Sequence, residues 1–154
     1  MNIDNIRVRV SKHYHNVYRD LTQETATRPK VFQQHGDVFA LCAVLGYRLG
    51  RCNECKGADL FWSHSLNKHQ QVVLMALSAV EAGEYGILST PASVVETCEG
   101  YAETGMEYLL GGVLAPLAHY DEKGGYSLRM TDSDEVEKLM ASAIADLATA
   151  GPVL

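Results

Sequence analysis

Charge, proline and tryptophan are all scarce in this chain. Only 21% of its 154 residues are Asp, Glu, Lys or Arg, while 47% are hydrophobic, a balance that excludes an intrinsically disordered segment. No apolar run reaches the roughly 20 residues a membrane-spanning helix needs. The opening Met1-Asn-Ile-Asp-Asn-Ile6 also lacks the basic and apolar blocks of a secretory leader. The expectation is a cytoplasmic protein with no membrane partner. Cysteine is limited to Cys42, Cys52, Cys55 and Cys98, which a reducing compartment keeps as thiols or ligands rather than bridges. At this length folding removes roughly 70% of the unfolded chain's surface, so a single domain, 1–154, needs neither metal nor disulfide for its core. The nucleophile-elbow, phosphate-loop and dinucleotide-binding patterns are missing, as are internal repeats and low-complexity tracts.

What charge there is lies unevenly. Residues 1–51 hold eight Lys/Arg and four acids, net +4, whereas residues 52–154 hold five Lys/Arg and fifteen acids, net −10. Such asymmetry implies an anionic partner for the basic part, or attraction between the two parts within one molecule or assembly.

The hydrophobic pattern predicts a mainly α-helical domain: about five helices, a short N-terminal strand and a small hairpin near residues 117–130. Ile6-Arg-Val-Arg-Val10 alternates with period two and reads as the strand. Ser11 then precedes a helix over about 12–23, with Tyr14, Val17, Tyr18 and Leu21 on its apolar face, and Pro29 belongs to the loop that follows. Asp37 stands as the cap of a second helix whose stripe is Val38, Leu41, Cys42, Leu45 and Leu49. Gly50 suits a left-handed stop there, and Gly46 suits close approach by another backbone. A third helix spans about 67–82. A fourth opens at Thr90-Pro91 and runs to about Leu110, with Gly100 and Gly105 marking a kink or division. Asp132 or Ser133 caps the last helix, which buries Val136, Leu139, Met140, Ala143, Ile144 and Leu147.

Three groups of residues carry potential chemistry. Cys52-Asn-Glu-Cys55 has the spacing by which a turn directs two thiolates at zinc, with His64 and His69 downstream to complete a set. The short gap to His64 and the lack of a second cysteine pair favour ordinary loop thiols, so no metal or other cofactor is expected. Glu96, Glu99, Glu103 and Glu107 fall within roughly 80° of one helix face and form an acidic ridge. A solvated face, a metal, a basic partner, or Lys and Arg from the N-terminal third would each accommodate it. Arg7 and Arg9, with Lys12 beyond them, project from the strand face opposite Ile6, Val8 and Val10. A two-chain ribbon of that kind would offer them to a DNA major groove, whereas an edge strand would simply hold them in water.

The strand-helix-helix order over residues 5–50 resembles that of ribbon-helix-helix repressors, although the link between the helices is longer here. Arg7-Val-Arg-Val10, the run Asp37-Val-Phe-Ala-Leu-Cys-Ala-Val-Leu-Gly-Tyr-Arg-Leu-Gly-Arg51 and the segment Glu99-Gly-Tyr-Ala-Glu-Thr-Gly-Met-Glu-Tyr-Leu109 together resemble one family more specifically. That family is the bacterial DNA-phosphorothioation-associated protein family number four, over about residues 6–110; the Cys52/Cys55 loop is not one of its features. The resemblance implies a non-enzymatic accessory to a phage-defence system that marks DNA with sulfur and attacks unmarked DNA, and it implies no catalytic residues. The expected partners are other defence-system proteins, double-stranded DNA and a second copy of the chain. Their contacts are assigned to Arg7, Arg9 and Lys12 for DNA, and to Phe39, Val44, Glu96, Glu99, Glu103 and Glu107 for protein. A ribbon-helix-helix-like regulator and a small metal-dependent enzyme stand as alternatives.

Overall fold

The computed structural model describes residues 5–25, 29–129 and 133–149. Among them, nine elements follow in order: β1 (Arg7–Val10), α1 (His15–Thr22), α2 (His35–Leu49), β2 (Ala58–Trp62), α3 (Lys68–Ala82), α4 (Pro91–Gly111), β3 (Ala118–Asp121), β4 (Gly125–Leu128) and α5 (Ser133–Thr149). The molecule is mainly α, with two small antiparallel two-stranded sheets.

The centre is the packing of α2 against α4, and glycine makes it close. A Cβ at Gly46 would stand 1.9 Å from the Tyr101 carbonyl oxygen, and one at Gly105 would stand 1.9 Å from that of Cys42. Gly105 therefore does not divide the helix as its sequence suggests. The segment is one continuous helix of 21 residues, and the helical penalty of glycine is offset by contact that no other residue allows. Around this seam are Val38, Phe39, Cys42, Met106 and Leu109, all essentially closed to solvent.

Helix α2 begins two residues before Asp37. Gln34 is its cap, and Asp37 acts from the third helical position, accepting the Gln34 backbone N–H at 3.2 Å. Its end is as expected, with Gly50 left-handed at φ 74°. Helix α1 is shorter than its pattern, because Lys12–Tyr14 form a 3-10 turn first, but Tyr14, Val17, Tyr18 and Leu21 are its buried face. Asn67 caps α3 by accepting the Gln70 N–H at 2.8 Å. In α5 Val136, Met140 and Ala143 are buried, Leu139 and Leu147 partly so, while Ile144 is exposed. Of the two expected caps of α5, Asp132 lies outside the described residues and Ser133 is the first residue of the helix.

The β3–β4 hairpin forms within the expected range and is fixed to α1, where Asp20 Oδ2 accepts the Leu128 N–H at 2.9 Å. The Leu60-Phe-Trp62 segment belongs to β2, which pairs with β1 so that Val8 lies opposite Phe61. Among the described residues no helix is long and apolar enough to cross a membrane.

Candidate functional site at the junction of strand and acidic helix

One edge of β1 is occupied by β2 of the same chain. Along the other runs α4. The Arg9 N–H donates to Glu99 Oε2 at 2.6 Å, and the Ser11 N–H donates to Glu103 Oε1 at 2.9 Å. The fit is metric: two residues of strand advance about 6.6 Å and four residues of helix about 6 Å, so carboxylates one turn apart reach alternate strand amides. The two-chain ribbon, one of the two readings of the period-two pattern, is replaced by pairing within the chain, since β2 and the carboxylates of α4 engage the two edges of β1.

The acidic ridge is accordingly not one exposed face. Glu99 is 3% exposed and Glu103 9%, while Glu96 and Glu107 remain exposed. Burial pushes the Glu99 carboxyl above the usual carboxylate range, against the opposing hydrogen bond and charge of Arg9. Arg9 adds an ion pair to Glu99 at 3.6 Å, and Arg51 approaches Glu107 at 3.8 Å. The basic N-terminal third thus meets the acidic remainder inside one molecule. Phe39, expected to face a partner, is 1% exposed and packs edge-on against Phe61, because it points into the seam shared with β2. Val44 is on the surface at 39% exposure.

The Cys52-to-Cys55 loop closes over the junction. Its Asn53 N–H donates to the Gly100 carbonyl at 3.2 Å, where a side chain at position 100 would strike Asn53 and Cys52. Cys55 Sγ lies 3.6 Å from both Glu103 Oε1 and the Arg9 carbonyl, and Cys52 Sγ donates to the Thr97 carbonyl at 3.7 Å. Burial, then the Glu103 and Glu99 charges, push the Cys55 thiol up to about 12; burial and Glu81 raise Cys52. Both shifts favour the neutral thiol over the thiolate nucleophile. Among the described residues no three His, Cys, Asp or Glu side chains gather into a metal-binding set. His64 instead stacks on Trp62, with ring centroids 6.4 Å apart. A polar cleft of about 650 Å³ opens beside the loop, lined by Arg9, Cys52, Cys55, Lys56, Glu81 and Glu96 among others.

Of the residues assigned to DNA, Arg7 is drawn between Asp59, at 3.6 Å, and the Trp62 ring, its guanidinium 4.8 Å from the centroid. Arg9 is held by Glu99 as described, and Lys12 is exposed. Sequence reasoning missed the clamp of Glu99 and Glu103 on β1, whose one available signal was the pairing of a four-residue acidic spacing with a two-residue strand spacing. It also missed the Arg7–Trp62 contact and the hydrogen bond from the Tyr101 hydroxyl to Glu81, which no local pattern announces.

A family model described as DNA sulphur modification system-associated protein 4 matches residues 7–138, from β1 into α5. No curated protein and no solved structure matches the chain.

Proposed function

This chain is a member of the DNA sulphur modification system-associated protein 4 family, and from that membership we propose that it is a non-catalytic accessory subunit that acts by contact with other proteins of such a system. The family match carries the reading. The geometry of the junction supports the non-catalytic part: its two buried carboxylates are engaged as acceptors of the Arg9 and Ser11 backbone N–H groups. Val44, Glu96 and Glu107, the members of the expected protein-facing set that remain exposed, are the proposed contact residues. Co-expression of the tagged chain with the products of adjoining system genes tests this. Retention of at least one of them in fixed ratio is expected. Failure of every one to co-elute contradicts it.

Direct contact with duplex DNA is a second reading, favoured by Arg7 and Arg9, partly and fully exposed at alternate positions of β1, with exposed Lys12 following the strand. Each arginine already faces a carboxylate and the chain carries a net charge of −6, so this binding is weak and falls steeply with salt.

A further inference from the structure

Helix α3 displays an apolar face where a solitary surface helix displays polar groups. Residues 70–80 contain no ionisable side chain. Val72, Ala76 and Val80, spaced four apart, are all exposed, the two valines by 62% and 61%. A shallow cavity of about 400 Å³ continues the face past Val80 to Gly83 and Tyr85. The charges at its ends are also reversed. Lys68 and His69 lie in the first turn, where the helix dipole favours acids, and Glu81 lies in the last turn with Glu84 just beyond, where it favours bases.

An antiparallel neighbour of the same sequence removes both anomalies. We propose that this face of α3 pairs with the same face of a second copy, the two helices running in opposite directions about a two-fold axis at Ala76. Within the helix positions 72 and 80 are equidistant from 76, and Lys68 stands at the end opposite the left-handed Gly83, which Glu84 follows. Val72 then packs against the partner's Val80, and Lys68 meets the partner's Glu84. Each helix N-terminus, carrying its bases, lies beside the acidic C-terminus of the other. Alanine at the axis lets the two backbones approach, and a patch that is its own complement is what a two-fold interface requires. The pairing uses neither Val44 nor the β1 margin, so it stands apart from contact with other system proteins and from DNA binding.

Sedimentation equilibrium of the full chain, alone and over a range of concentrations, tests the pairing. The wild type is expected at twice its 16.9 kDa chain mass. Ala76→Glu, which sets two carboxylates face to face at the axis of an otherwise exposed position, is expected to weaken association at least about tenfold with unchanged circular dichroism. Lys68→Glu and Glu84→Lys are each expected to weaken it, and the double exchange to restore it. A wild type that stays at the single-chain mass, a dimer indifferent to Ala76→Glu, or a double exchange no tighter than its parents overturns the proposal.

Discussion

At Glu99 a buried carboxylate does what a third strand would otherwise do, accepting an edge N–H of β1. Glu99→Ala is expected to cost about 1–3 kcal/mol, because the part-buried Arg9 N–H loses its acceptor. Glu99→Gln keeps an acceptor oxygen without the buried charge and is expected to cost less than half as much. The folded-state pKa of Glu99 lies above its unfolded value of 4.5, so the stability gained from its protonated form is complete below that value and lost as pH rises through the folded pKa. Urea denaturation from about pH 4 to about pH 7 should therefore show the stability difference between Glu99→Gln and wild type moving in the variant's favour as pH rises. A constant difference contradicts the assignment. Glycine supplies a second comparison within α4: Gly105 abuts the Cys42 carbonyl, whereas nothing lies within 4 Å of a Cβ at Gly111. Gly105→Ala is expected to destabilise by about 3 kcal/mol, lowering Tm by roughly 6–12 °C, while Gly111→Ala leaves Tm level or slightly raised. Equal melting temperatures for the two variants would show that the seam yields.

Among the elements, helices with a strong apolar period were the most legible. Helix α3 begins at its Asn67 cap and α2 ends at Gly50 as their residues indicate. Where the sequence misled, the deciding contact lay far along the chain. Gly105 reads as a helix breaker until Cys42, 63 positions earlier, is placed against it. Glu99 and Glu103 read as surface acids until β1, some 90 positions away, presents its amides. Phe39 reads as a partner-facing residue until β2 supplies Phe61. The Cys52-to-Cys55 loop reads as a carrier of ordinary thiols, but its spacing says nothing of the acid beneath it, Glu103, which lies 3.6 Å from Cys55 Sγ. Alkylation by iodoacetamide, followed residue by residue in a mass spectrometer, is expected to modify exposed Cys52 first. Cys55 should follow more slowly than a free thiol, because burial and the Glu103 charge leave little of it as thiolate near neutral pH, and Cys42 and Cys98 only on unfolding. Rapid reaction at Cys55 near neutral pH would contradict its burial against Glu103.

For the whole molecule, the charge asymmetry of the sequence finds much of its match internally, through Arg9 with Glu99 and Arg51 with Glu107. That internal pairing limits what remains for DNA. Duplex affinity at low salt is expected to be weak, to drop sharply toward physiological salt, and to fall further in Arg7→Ala plus Arg9→Ala and in Lys12→Ala. Equal affinity in the double variant and wild type would remove the arginines from any DNA contact. The family relationship, rather than any assembled set of reactive groups, carries the functional conclusion, so the assembly itself is the quantity to measure. Native mass spectrometry of the chain purified with the co-expressed proteins of its DNA sulphur modification system does so most directly. The accessory reading predicts a discrete complex holding this chain in whole-number ratio with at least one of those proteins. Recovery of the chain only at 16.9 kDa, or only with copies of itself, would contradict it.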